Sequence, residues 1–186
     1  MSQPYSRISS TGAGPGGILD AAKVRSLIDD LASLDGSQRH SARQSLVGFG
    51  KPSVAPLIYA LQDPRQDVRW EAANALVEIG DPAAASALVR AMEDTSFGVR
   101  WLAAEGLISL GSAALRPLLD ALVSRSSSVL LREGAHHVLS ILAKRGLRDY
   151  VAPVLAVLED VEPAVQVPHA AVAALDRLGR LPATSS

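Results

Sequence analysis

The sequence contains no cysteine. That excludes a disulfide scaffold, a thiolate metal site and a cysteine nucleophile. Aromatic residues are scarce at 4%, two Trp, three Tyr and two Phe, although hydrophobic residues make up 48% of the 186 positions. The core must therefore come from Ala, Leu, Val and Ile, which suit closely packed helices. Neither sign of charge dominates: 18 Lys and Arg face 19 Asp and Glu, for a net charge of -1. A dedicated nucleic-acid binder needs a basic face to displace counterions, so no nucleic-acid partner is expected. No stretch approaches the run of about 20 apolar residues that spans a bilayer, so no membrane partner is expected either. The Gly-rich segment at 12–17 is followed by no Lys-Ser/Thr pair, as a phosphate loop would require. There is no G-x-S-x-G elbow and no convincing nucleophile–base pair. The expectation is a non-enzymatic chain without a cofactor, long enough for one domain with a real core.

Both ends read as tails. Residues 1–17 are rich in Ser, Gly and Pro, and residues 181–186 continue that character. Such compositions cannot bury enough apolar surface to order themselves. The N-terminal stretch lacks the hydrophobic segment of a secretory signal, so the expected address is the cytoplasm.

Between the tails, over 18–180, the chain copies itself. Residues 63–80 read DPRQDVRWEAANALVEIG and residues 94–111 read DTSFGVRWLAAEGLISLG. Asp, Val-Arg-Trp, Ala-Ala, Leu and Gly return at an offset of 31. Stepping back 30 from Trp70 reaches His40, stepping forward 31 from Trp101 reaches Arg132, and a further 37 reaches His169. The extra residues of that last step fall in 143–152 and read as a lengthened loop between helices. A second motif alternates with the first: Pro56-Leu-Ile-Tyr-Ala-Leu-Gln-Asp63, then Pro117–Ser124 and Pro153–Asp160, with Ala87–Asp94 as a copy lacking the proline. Its apolar residues at i, i+1 and i+4 form one helical stripe. Pro52 and Pro82 follow Gly50 and Gly80 by two, marking helix starts after glycine caps. Asp20 is placed to cap the first helix, with Leu19 and Val24 as a hydrophobic staple.

A self-match at this period is the mark of a solenoid. One helix pair cannot bury both its faces, so neighbours must stack. The predicted fold is all-α: a right-handed α-solenoid of about five helix pairs, at 20–50, 51–80, 81–111, 112–142 and 143–179.

The segment Val68-Arg-Trp-Glu-Ala-Ala-Asn-Ala-Leu-Val-Glu-Ile-Gly-Asp-Pro82, with Pro56-Leu-Ile-x-Ala-Leu-x-Asp63, resembles HEAT-like repeats. More specifically it resembles the short subclass named after phycobilisome (bilin) lyases. The resemblance covers about 160 residues. Leu131 and Pro168 stand where the motif has arginine, and no glycine follows Ile141. Repeat folds host many functions. In similar proteins the second helix of each pair lines the concave surface, which implies a binding face there.

On those second helices, positions matching Ala72, Ala73, Leu76 and Ile79 stay small or aliphatic and form the packed stripe. Positions matching Trp70, Glu71 and Asn74 vary. The Trp70 column reads His40, Trp70, Trp101, Arg132, His169. The next reads Ser41, Glu71, Leu102, Glu133, Ala170, and the Asn74 column reads Gln44, Asn74, Glu105, His136, Ala173. Both tryptophans share one column in adjacent repeats, and aromatic residues with arginine are the usual make-up of a hot spot. The expected function is a scaffold or adaptor that grips a protein partner on its concave face. Trp70, Trp101, Leu102 and Arg132 would make the grip, with His40, Glu71, Asn74, Glu105, Glu133 and His136 around them. A packing-only alternative has both indoles folded over neighbouring alanines.

Two other readings follow from resemblance. The bilin-lyase subclass implies a chromophore-handling protein, with a tetrapyrrole in the same groove. The iron-dependent deoxyhypusine hydroxylases also resemble this frame, and that resemblance implies a His-Glu dipeptide at the Trp70-Glu71 column. Here the dipeptides are His40-Ser41, Trp70-Glu71, Trp101-Leu102, Arg132-Glu133 and His169-Ala170. No position keeps both ligands, so no metal site is expected. Glu133 and His136 have an i, i+3 spacing found in carboxylate-bridged iron sites, but without partner helices they read as an exposed face. Val172, Leu175 and Leu178 on the last helix have no following repeat to cover them. End-to-end self-association through that helix is the corresponding expectation.

Overall fold

A computed structural model describes residues 15–160 and 162–179, with side chains from Ala21 onward. Among these residues there are ten α-helices and no strand: α1 Pro15–Asp30, α2 Gly36–Phe49, α3 Lys51–Ala60, α4 Gln66–Ile79, α5 Ala85–Ala91, α6 Phe97–Leu110, α7 Leu115–Ser124, α8 Val129–Leu142, α9 Arg148–Leu158 and α10 Pro163–Gly179. The fold is an all-α solenoid of helix pairs. Helix α1 begins at Pro15, so Asp20 lies within it and does not cap it. The expected tails otherwise fall outside the described residues.

Glycine ends the second helices and proline starts the next first helices. Gly50, Gly80 and Gly111 have φ of 64°, 65° and 60°, a left-handed turn that L-residues with a Cβ avoid. Pro52 and Pro82 then occupy the opening turns of α3 and of the 3₁₀ turn before α5, where a missing N–H costs nothing. The stretch from Phe97 to Ser124 is apolar and long enough by composition to cross a membrane, contrary to expectation. It bends at Gly111 into α6 and α7, of 14 and 10 residues, and half of its most apolar window is packed inside the protein.

An arginine stitches each of the first four pairs together. Arg39 Nη1 donates to the Ser33 carbonyl at 2.8 Å, Arg69 to Asp63 at 2.9 Å, Arg100 to Asp94 at 2.8 Å, and Arg132 to Ser126. Each acceptor lies six residues upstream, in the turn between the two helices. These carbonyls have no helical partner of their own, so a charged donor satisfies them well. The steps between these arginines are 30, 31 and 32 residues. The buried columns keep the same steps: Ala42, Ala72, Ala103 and Ala135, then Leu46, Leu76, Leu107 and Leu139. The alanine column lets neighbouring helices approach closely, and Leu fills the space between layers.

This corrects the sequence frame in the fourth pair. The step from Trp101 is 32 residues, not 31. Arg132 is therefore the fourth repeat arginine, and Leu131 takes the buried place of Val68 and Val99. Glu133 stands in the Trp70 column, and His137, not His136, in the Asn74 column.

The last pair departs from the stacking order. Second helices α2, α4, α6 and α8 touch in sequence, as do α5 and α7 on the other side. Helix α9, however, packs beside α8, and α10 packs against α7 and α9. The pair is inverted: α9 extends the second-helix layer and α10 the first-helix layer. The reversal occurs over Ala143–Leu147, where Gly146 adopts φ 97°. This segment is a kinked turn joining α8 to α9, not the loop expected over 143–152. His169 on α10 consequently lies outside the layer that holds Trp70 and Trp101. Leu175 and Leu178 are partly buried against the core, whereas Val172 and Val165 are exposed.

Candidate protein-binding face

The outward face of α4, α6 and α8 carries the exposed aromatic side chains of the second-helix layer. Trp70 is 37% exposed and Trp101 49% exposed. The Trp70 indole lies over Gly98 at the start of α6, where an added Cβ would come within 3.3 Å of Cδ1. Trp101 is stacked on Phe97 of the preceding turn, with centroids 6.4 Å apart, and packs on His137 of α8 at 5.4 Å. Phe97 is itself 68% exposed and carries the Arg100 guanidinium 5.6 Å above its ring. Both indoles thus touch the next second helix, on Gly98 and His137 and not on the alanines the packing-only reading named, and both still present ring surface to solvent.

The other expected site residues divide. His40 is exposed, with Nδ1 2.9 Å from Arg43 Nη2. A guanidinium has no lone pair, so Arg43 is the donor of this contact. Asn74, Leu102 and Glu105 are half-buried, and Leu102 packs against the core. Glu133 is exposed. Glu71 is not a rim residue: it is buried, and Arg43 Nε donates to it at 2.9 Å. Arg43 also binds Glu78, so one buried arginine joins α2 to two carboxylates of α4. Arg132 is committed to the Ser126 carbonyl and does not reach out as an anchor. His136 turns toward α9 and bonds Glu159 at 3.0 Å.

A pocket of about 190 Å³ opens between α6 and α8. Met92, Phe97, Trp101, Ala104, Leu130 and Gly134 line it, with Arg100, Glu133 and His137 as its polar groups. His137 Nε2 is 3.8 Å from Glu105. A wider depression of about 490 Å³ continues from Glu133 and His136 to Leu158 and Glu159 of α9. A cavity of about 570 Å³ lies on the opposite side, between α1 and α3, walled by Val24, Ile28, Pro56 and Tyr59, and none of the expected site residues lines it. Phe97, Leu130 and His137 were not anticipated as part of the face. The alanine column would have revealed His137, because Ala42, Ala72, Ala103 and Ala135 fix the correct register.

The shifted carboxylates lie in the turns between helices. Burial pushes the Asp94 carboxyl up, but hydrogen bonds from Arg69 and the Ser96 amide, with the charges of Arg69 and Arg100, hold it below the ordinary range. Asp63 is lowered mainly by its hydrogen bonds from Arg65. Such shifts mark structural ion pairs as readily as catalytic groups. Among the described residues no three His, Asp or Glu side chains group as metal ligands.

The sequence matches the family of HEAT repeats over residues 24–108 and again over 54–140. No curated protein matches it. Among solved structures it is similar to the complex of CpcE and CpcF of phycocyanin lyase from Nostoc sp. PCC7120. The identity is 24% over 84% of this chain and 99% of that one, with a TM-score of 0.51. An engineered protein is similar at 20% identity over 86% of this chain and 83% of that one, with a TM-score of 0.43.

Proposed function

Because the chain belongs to the HEAT repeat family, we propose that it is a non-enzymatic scaffold that binds a protein partner on the concave face of its second helices. The observation that carries this reading is the run of open aromatic surface, Trp70, Phe97 and Trp101, on adjacent helices beside a side-chain-sized pocket. Large aromatics with ring surface left in water are the residues that gain most from burial by a partner. The alanine-rich approach of α2, α4, α6 and α8 supports placing the inner curve on their side, since a stack bends toward its closer-packed layer. Asn74, Leu102, Glu105, Glu133 and His137 complete the face, with His40 at its far end.

The test is affinity capture, identification of the partner, and titration of the purified partner. Trp70→Ala with Trp101→Ala should weaken binding at least a hundredfold, while the protein stays helical and folded with a lowered melting temperature from the packing area lost. A double variant that unfolds instead would show that the indoles serve packing, and undiminished binding would place the partner elsewhere.

The likeness to a phycocyanin lyase complex favours one second reading, a lyase-related chromophore handler. Mixing the protein with a bilin and an acceptor protein separates the two. Covalent colour transfer supports the lyase class, and an unchanged visible spectrum supports the scaffold. Self-association is read through α10, where Val165 and Val172 are exposed. Sedimentation should show mass rising with concentration, and Val172→Lys should abolish the rise; a monomer at every concentration removes this partner.

A further inference from the structure

We propose that the pocket beside Trp101 receives a lysine or arginine side chain of the bound protein. The inference rests on the partner reading above and specifies the chemistry of one contact. The pocket combines two features that together favour a cation on a hydrocarbon stem. Its walls are mainly apolar, with Met92, Phe97, Ala104, Leu130 and the half-exposed ring of Trp101, while Arg100 and His137 also line it. At its edge stands Glu133, an exposed carboxylate for which no ion pair is found among the described residues.

The cations of the neighbourhood are already engaged. Arg100 donates to the Asp94 and Thr95 carbonyls and lies over Phe97. Arg132 donates to the Ser126 carbonyl. Both keep their positive charge but are held at the helix starts by these bonds. Glu105 faces His137 at 3.8 Å and adds a second carboxylate beside the pocket. A Lys or Arg stem would lie along Leu130 and Met92, and its head would meet the Trp101 ring and Glu133. Aromatic faces attract cations through their quadrupole, and a carboxylate adds a direct partner. The volume of about 190 Å³ suits one long side chain and not a folded ligand. A partner segment that places a basic residue here would be steered by Glu105, Glu133 and, across the wider depression, Glu159.

The experiment uses n-butylguanidinium as a mimic of the arginine side chain and N-butylurea as its neutral counterpart. Each is titrated into the full chain while the Trp101 indole N–H is followed by NMR. The guanidinium should shift this resonance saturably and bind at least fivefold tighter than the urea. Glu133→Gln should reduce that preference to about twofold or less, and added salt should weaken it. Equal binding of the two compounds would overturn the cation assignment, as would no response to either. Either failure leaves the scaffold reading to its own test, because partner capture and its loss in the tryptophan double variant do not depend on the pocket's charge preference.

Discussion

The guanidinium of Arg69 grips the carboxylate of Asp94 through two hydrogen bonds, of 2.7 and 3.0 Å. The pair joins α4 to the turn before α6, and Asp94 in turn accepts the Ser96 amide at 2.7 Å. Asp94→Asn should cost about 2 kcal/mol by chemical denaturation, as expected for hydrogen bonds to charged groups. The pH dependence has a definite sign. The folded carboxyl titrates below its ordinary range and the unfolded one near 3.9. The pair's contribution is therefore full well above pH 4 and is lost as pH falls below that value. Asp63 acts in the same direction. The variant should show a shallower acid-side fall in stability than the parent.

Arg43 is the buried link between α2 and α4. Arg43→Ala leaves buried Glu71 with only the longer 3.7 Å contact to Arg39 Nε and should destabilise by about 3 kcal/mol. Arg43→Met combined with Glu71→Leu should recover most of that loss. The measurement is a pair of urea melts. A single variant as stable as the parent would show that Glu71 finds another partner or water.

Arg132 distinguishes the two registers of the fourth repeat. As a stitch to the Ser126 carbonyl, it should lose about 1–2 kcal/mol of stability on replacement by alanine. Partner affinity should change less than threefold. A large loss of affinity with unchanged melting would restore it to the binding face.

Gly106 stands in α6 where α4 carries Ala75. A Cβ there would approach Leu88 Cδ1 to 2.9 Å and Val77 Cγ2 to 3.1 Å. Gly106→Ala should therefore show less than the usual helix gain of about 1 kcal/mol, and Gly106→Val should destabilise by about 1–3 kcal/mol. Thermal melts of both variants check the ordering.

Much of the fold was legible because the repeat is written in buried residues. Alanine and leucine columns cannot drift without opening a cavity or forcing an overlap, so their spacing fixed the helix pairs. The tryptophan column was a weaker guide, since exposed positions tolerate change. It hid the one-residue slip before Glu133 and put Arg132 and His136 in the wrong columns. Glu71 misled for another reason: its partner, Arg43, is 28 positions away, and no local pattern announces that contact. The inverted last pair was also invisible, because Val167, Ala171 and Ala174 are buried with the same spacing whichever layer receives them.

That inversion changes how the two ends of the stack should come apart. In a regular solenoid each repeat touches only its neighbours, so either end can peel away one repeat at a time. Here α10 returns to α7, with α8 and α9 between them in the chain. The contact of α10 with α7 is the broadest between any two of the described helices, so the last pair is held to the one before it by a broader joint than α1 makes with α3 or α2 with α4. Hydrogen exchange should therefore find α1 and α2 opening on their own, whereas α7 to α10 exchange together as one cooperative unit.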